Sequence, residues 1–293
     1  MFQKIIEVAL AEDCALDDVT SDLVIAKNSV ASFEINAREE IIFCGREIVS
    51  EVFATLKNTT KFKNSKLDLE ILAKDGDVLR PGKSIARGHG EAKLIFAAER
   101  ILLNLIQHLS GVATLTNQFV AKLKNPKIQI LDTRKTTPGL RATQKYAVLV
   151  GGGKNHRLNL SDMVLIKDNH IAAAGGIANA LHLAQKSRKK IEIECDNFSQ
   201  VCEVLECHET ELPDVIMLDN MNEKEIAKCA KKIRENSKKI KIEISGGVNL
   251  NNISRFAKLD IDFISIGYLT HSARAVDIGL DICNAKKPKS FAL

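Results

Sequence analysis

The stretch that decides the fold runs from Ile191 to Ser245: IEIECDNFSQVCEVLECHETELPDVIMLDNMNEKEIAKCAKKIRENSKKIKIEIS. Residues 191–195, 215–218 and 240–244 are short runs rich in β-branched side chains, which suit a pleated, buried strand. Between them, 198–206 and 223–236 carry apolar residues at helical spacing. Strands that alternate with helices run parallel, because a chain entering each strand from the same end needs a crossover to return. The pattern continues outward, with strands expected at 127–131, 163–166 and 262–266 and helices at 177–189 and 250–257. Six such units predict a parallel sheet that can close into an α/β barrel. An open doubly wound sheet would read the same way.

Upstream of Pro126 the pattern differs. Phe2, Ile5, Ile6, Ala9 and Leu10 predict an amphipathic helix over 2–12. Residues 17–22 read as a polar loop. Strands are expected at 31–36, 40–44, 68–72 and 84–89, with a helix at 46–56 and turns at 74–77 and 80–82. Tight turns between strands imply an antiparallel α+β domain. Residues 91–109 are strongly helical, and Ser110-Gly111 is expected to break or bend that helix before a second one reaches about Lys122.

Composition narrows the function classes. The 293 residues are 45% hydrophobic and 27% charged, as in a globular chain with a sizeable core. A net charge of +5, with no Trp and two Tyr, is too weak and dispersed for a nucleic-acid binder. Converging cations would instead serve anionic substrates. No apolar run reaches the ~18 residues of a membrane span, and Glu7 and Glu12 interrupt any signal-peptide layout. Cys195, Cys202, Cys207 and His208 are close in sequence, but no cysteine pair has CxxC spacing, so reduced cytoplasmic thiols are expected rather than zinc.

The candidate site lies at the strand ends, where parallel barrels place their chemistry. Leu131–His170 holds seven Lys or Arg and two His against three acids, with Gly151, Gly152 and Gly153 in the middle. One strand closes on Asp132, Thr133, Arg134 and Lys135, and the next on Lys167 and Asp168. Glu192 and Glu194 share a strand face. Asp219, the Ser245-Gly246-Gly247 turn and the Ser265–Gly267 turn close later strands. Glycine turns can aim N–H groups at a phosphate. Glu194 and Asp219 can take ribose hydroxyls or hold Mg²⁺, directly or through water. Arg134 and Arg157 can grip carboxylates. From the residues alone, this is a barrel enzyme acting on a phosphorylated sugar.

The run Asp132–Arg141 (DTRKTTPGLR), with Lys145-Tyr146-Ala147, Gly151–Arg157 (GGGKNHR) and Leu165–His170 (LIKDNH), closely resembles the quinolinate phosphoribosyltransferases. Glu99-Arg100, Leu109–Thr114, Met217–Asn220, Ser245–Gly247 and Leu269–Ser272 extend the resemblance over nearly the whole chain. Leu149, Asn159 and the Ala15–Asp18 loop depart from the pattern. The resemblance implies a pentosyltransferase of NAD biosynthesis that makes nicotinate mononucleotide, CO₂ and pyrophosphate from quinolinate and phosphoribosyl pyrophosphate with Mg²⁺. It implies an N-terminal α/β sandwich over 1–108, joined by 275–293, and an open, incomplete α/β barrel over 109–274. It also implies a cytoplasmic homodimer or larger homo-oligomer with shared sites. Quinolinate would meet Arg100 (from a neighbouring subunit), Thr133, Arg134, His156, Arg157 and Lys167. Phosphoribosyl pyrophosphate would meet Lys135, Glu194, Asp219, Ser245, Gly246, Gly247, Ser265, Gly267 and His271. Lys135, Lys167, Glu194 and Asp219 would be catalytic. The rival readings are a paralogue of molybdenum transport, a non-catalytic ligand-binding or scaffold protein on the same barrel, and a Schiff-base aldolase using Lys135 or Lys167.

Overall fold

The computed structural model describes residues 1–283; the basic tail expected at Lys286, Lys287 and Lys289 lies outside the described residues. In chain order the elements are α1 (Gln3–Glu12), α2 (Val19–Val24), β1 (Val30–Ala37), β2 (Ile41–Ile42), α3 (Arg46–Lys57), β3 (Leu67–Ile71), β4 (Val78–Leu79), β5 (Ser84–Glu91) and α4 (Ala92–Leu123). They continue with β6 (Gln129–Leu131), α5 (Arg141–Val150), β7 (Val164–Ile166), α6 (Asp168–Ala174), α7 (Ile177–Ala184), β8 (Ile191–Cys195), α8 (Phe198–Glu206), β9 (Val215–Asp219) and α9 (Glu223–Asn236). β10 (Lys241–Ser245), a 3₁₀ segment (Ile253–Lys258), β11 (Phe263–Ser265), α10 (Tyr268–His271) and β12 (Ile278–Cys283) complete the order.

The chain forms two compact units. One comprises Met1–Leu115, Pro138–Gly151 and, of the described residues, Ala273–Cys283, and the other Thr116–Thr137 with Gly152–Ser272. The expected cut after residue 108 falls inside α4, and Pro138–Gly151, expected in the barrel, belongs to the first unit. There the α5 ring of Tyr146 meets Phe2 at 5.8 Å, and its hydroxyl donates to Asp75 Oδ2 at 2.6 Å.

The first unit holds a four-stranded antiparallel sheet in the order β12-β1-β5-β3. Alternation along β1 buries Phe33, Ile35 and Ala37. Phe33 stacks 5.8 Å from Phe53 of α3, so one face of the sheet is closed by a helix whose Ile48, Val49, Val52 and Leu56 are also buried.

Two local expectations are corrected here. Residues 17–22 are not all loop. Asp18 caps α2 by accepting the Ser21 N–H at 3.1 Å, which satisfies a free helix-start donor and lets Val19 begin a turn. Ser110-Gly111 does not break the helix either, and α4 runs unbroken for 32 residues. Buried Ser110 spends its hydroxyl on Cys44, accepting that residue's N–H at 3.0 Å. At Gly111 a Cβ would sit 2.0 Å from the Arg274 carbonyl oxygen. The pair therefore permits close packing.

The second unit is a six-stranded, all-parallel sheet in the order β6-β11-β10-β9-β8-β7. β6 and β7, at its two edges, do not pair with each other, so the barrel is incomplete. The Lys154 main chain covers the β6 edge: its N–H donates to Ile130 at 2.8 Å and its carbonyl accepts from Asp132 at 3.1 Å. Alternation sorts the strands. Ile193, Ile216, Ile242 and Ile264 are fully buried, one per strand from β8 to β11, each worth about 1.5–3 kcal/mol of burial. Of the intervening positions, Glu194, Met217, Asp219, Glu243, Ser245 and Ser265 face a cavity. Outside the sheet, α9 buries Ile226, Cys229, Ala230 and Ile233 at helical spacing behind an Asn222 cap. The helix expected at 250–257 is 3₁₀ from Ile253, where the Asn249 and Asn252 side chains accept the main-chain N–H groups of Asn251 and Asn249 and so compete with helical bonding.

Candidate active site

A cavity of about 350 Å³ sits at the C-terminal ends of the parallel strands. Each strand contributes by alternation: Leu165 and Lys167 at β7, Glu194 on β8, Met217 and Asp219 on β9, Glu243 and Ser245 on β10, and Ser265 on β11. After β6 come Thr133, Arg134 and Lys135, and from the Gly152–Arg157 loop come His156 and Arg157.

Local bonds hold these groups. Thr133 Oγ1 accepts the Lys135 N–H at 3.0 Å, and Thr270 Oγ1 donates to the Lys135 carbonyl at 2.7 Å. Gly267 lies against Lys135 and His271, where a Cβ would come within 2.9 Å of Lys135 Cδ and 3.3 Å of His271 Nε2. Lys167 Nζ is hydrogen-bonded to Glu194 Oε2. Asp219 Oδ2 accepts from Asn220 Nδ2 at 2.5 Å. Gly246 has φ +88°, and a Cβ there would strike Asn220 Oδ1 at 2.0 Å, so only glycine lets the β10 turn lie against the β9 end.

The floor is acidic. Glu192 and Glu243 are each 1% exposed. His156 Nε2 lies 3.0 Å from Glu192 Oε2 and 3.7 Å from Glu243 Oε1. Burial, and then the Glu192 carboxylate, push the Glu243 carboxyl up to about 8. The His156 main-chain N–H donates to buried Asp132 at 2.9 Å. Above this floor, burial first and Arg134 second lower the Arg157 pKa. Arg134 Nε is buried with no hydrogen-bond partner. An orphaned cationic donor beside a second guanidinium is a prepared seat for an anion.

Relatives with the same layout decide the family. The sequence signature of the "Quinolinate phosphoribosyl transferase, N-terminal domain" matches residues 18–110, and that of the C-terminal domain matches 112–281. The chain belongs to the quinolinate phosphoribosyl transferase family. It is 40% identical over 283 residues to the probable nicotinate-nucleotide pyrophosphorylase [carboxylating] of Bacillus subtilis (strain 168), covering 96% of this chain and 93% of that protein. It is 39% identical over 288 residues to the protein of the same description from Methanocaldococcus jannaschii, with 95% and 96% covered. The crystal structure of nicotinate-nucleotide pyrophosphorylase from Ehrlichia chaffeensis superposes with a TM-score of 0.87 at 42% identity, covering 96% of this chain and 98% of that one.

For a quinolinate phosphoribosyl transferase, the residues singled out from sequence fall into three groups. Thr133, Arg134, Lys135, His156, Arg157, Lys167, Glu194, Asp219, Ser245 and Ser265 line one cavity. Gly246, Gly247, Gly267 and His271 do not line it, although Gly246 and Gly247 directly follow Ser245, while Gly267 and His271 flank Lys135. Arg100 is exposed on α4 in the other unit and is not among the lining residues. Sequence reading left Glu243, Leu165 and Met217 out of the site. Strand alternation from Ser245, Lys167 and Asp219 was the signal that could have found them.

Proposed function

We propose that this chain transfers the phosphoribosyl group of phosphoribosyl pyrophosphate to quinolinate with decarboxylation, giving nicotinate mononucleotide, CO₂ and pyrophosphate. The observation that carries the reading is a cavity gathering Arg134, Lys135, Arg157 and Lys167 with Glu194 and Asp219, in a chain matched along both family domains. Both substrates are polyanions, and a partly desolvated cluster of cations holds them with charge-assisted bonds.

Arg134, Arg157 and Lys167 grip the two carboxylates, with Thr133 and His156 shaping that side. This fixes the pyridine nitrogen against the ribose C1 and converts an encounter into a positioned attack. The new N–C1 bond forms as the C1–O bond to pyrophosphate breaks. Glu194 and Asp219 face the positive charge that develops on the ribose, and Lys135 faces the departing pyrophosphate. Ser245, Gly246, Gly247, Ser265, Gly267 and His271 surround the 5′-phosphate end. The C2–carboxylate bond of the resulting pyridinium then breaks. CO₂ leaves, the electron pair stays on C2 beside the cationic ring nitrogen, and C2 takes up a proton.

Glu194, Asp196 and Asp219 offer carboxylate oxygens within 4.8 Å of one another. Hard oxygen donors of this kind fit Mg²⁺ with some waters retained. Glu194 and Asp219 would hold the ion, which would supply neutralising charge for the diphosphate. The working form is a cytoplasmic homodimer or larger homo-oligomer, in which Arg100 completes a neighbour's quinolinate seat. No helix among the described residues is long and apolar enough to cross a membrane.

The deciding experiment incubates purified protein with quinolinate, phosphoribosyl pyrophosphate and Mg²⁺ and follows nicotinate mononucleotide and CO₂. Absence of both products with fresh substrates overturns the reading. Borohydride trapping of a substrate carbonyl on Lys135 or Lys167 would favour the aldolase instead.

A further inference from the structure

His156 lines the cavity, yet its polar atoms are turned into the protein. Ring Nδ1 accepts the Arg157 main-chain N–H at 2.7 Å. An acceptor at that distance carries no hydrogen, so the ring proton must sit on Nε2. Nε2 points down at Glu192 Oε2, 3.0 Å away, with Glu243 Oε1 beyond it at 3.7 Å. The main-chain N–H of the same residue is anchored on Asp132. The imidazole is thus pinned on both sides, from below by a carboxylate and laterally by the residue that carries a cavity guanidinium. The carboxylates are committed to this floor: both are 1% exposed, and Glu192 Oε1 and Glu243 Oε1 have no hydrogen-bond partner. Buried acids tolerate such a place only where a fixed donor compensates them, and Nε2–H is that donor for Glu192.

We infer that His156 is a positioning residue rather than a substrate ligand. Glu192 fixes its ring in the neutral Nε2–H form, and the Nδ1 of that ring sets the main chain of Arg157 and with it the guanidinium that grips the dicarboxylate. Glu192, with Glu243 beside it, is then a specificity element for the anionic substrate although it lies below the substrate. This rests on the phosphoribosyl-transfer reading for its kinetic consequence, but not for the state of the ring.

Two measurements separate these levels. Nitrogen-15 NMR of histidine-labelled wild-type protein at neutral pH, without substrate, should give for His156 a pyridine-type Nδ1 and a pyrrole-type Nε2, with the signal assigned by its loss in His156→Asn. An imidazolium signature or the opposite tautomer overturns the inference. Steady-state kinetics then test the coupling. Glu192→Leu should raise the quinolinate KM ~10–100-fold, as expected when a gripping group is misplaced by a fraction of an ångström to an ångström. The phosphoribosyl pyrophosphate KM should move little. Glu192→Gln, which keeps an acceptor for Nε2–H, should recover most of that loss. Added to Arg157→Ala, Glu192→Leu should cost little more, because its effect runs through Arg157. Full additivity, or equal rises in both KM values, overturns the inference. If Glu192→Leu does not fold, the Glu192→Gln kinetics and the wild-type ring state still decide it. A neutral Nε2–H ring in a protein inactive towards quinolinate would sink the reaction reading and leave the ring assignment standing.

Discussion

A buried carboxyl whose pKa is raised makes the folded state hold a proton that the unfolded chain has already lost. Glu243, pushed from 4.5 to about 8, should do this between those two values. There the native state binds more protons than the unfolded state, so stability falls as pH rises. Glu243→Gln has no proton to lose, and urea unfolding at about pH 5 and about pH 8 should show a flatter pH dependence for it, by on the order of a few kcal/mol. An unchanged slope would place the proton elsewhere. On the cationic side, Arg134→Ala should cost about 3 kcal/mol of transition-state stabilisation, read as kcat/KM for quinolinate, by analogy with loss of one preorganised donor. The cations were legible in the sequence because charge at a strand end stands out against an apolar run. The Glu192–His156–Glu243 floor was not. Alternation tells that Glu192 and Glu194 share a face, but not that carboxylates from β8 and β10, with β9 between them, converge on a ring delivered by a loop.

Elements were most readable where periodicity was enforced by burial on both sides, as in β8–β11, whose expected and observed limits nearly coincide. Reading failed where one residue's local preference was overridden by a neighbour remote in sequence. Ser110-Gly111 looks like a helix break, yet both residues serve contacts with Cys44 and Arg274 that sequence proximity cannot reveal. The consequence is a substitution whose sign runs against propensity. Ala is the better helix former by about 1 kcal/mol, but at Gly111 its Cβ meets a carbonyl oxygen at 2.0 Å. Gly111→Ala should therefore destabilise by roughly 2 kcal/mol net, checked by denaturant midpoint at constant m-value. The two-residue strand β4, which pairs with the expected β2, and the short helix α2 escaped for a simpler reason: each is too brief for a period to register.

At the scale of the whole molecule, the sequence implied a parallel barrel following an antiparallel domain, and the six-stranded and four-stranded sheets have those senses. The compact units depart from sequence order where the chain returns, at Pro138–Gly151 and again from Ala273, to the unit it had left. Arg100 carries the prediction at this scale. Arg100→Ala should raise the quinolinate KM without loss of fold, and mixing Arg100→Ala with Lys167→Ala protein should restore activity that neither has alone. No recovery after subunit exchange would mean that each chain works with its own residues. The covered edge of β6 has a different consequence. Lys154 occupies main-chain groups that would otherwise template a foreign strand, and the loop that supplies it also carries His156 and Arg157. An anion gripped by Arg157 would thus act as a guard against aggregation, and turbidity during mild heating should fall with quinolinate before any shift in global melting appears.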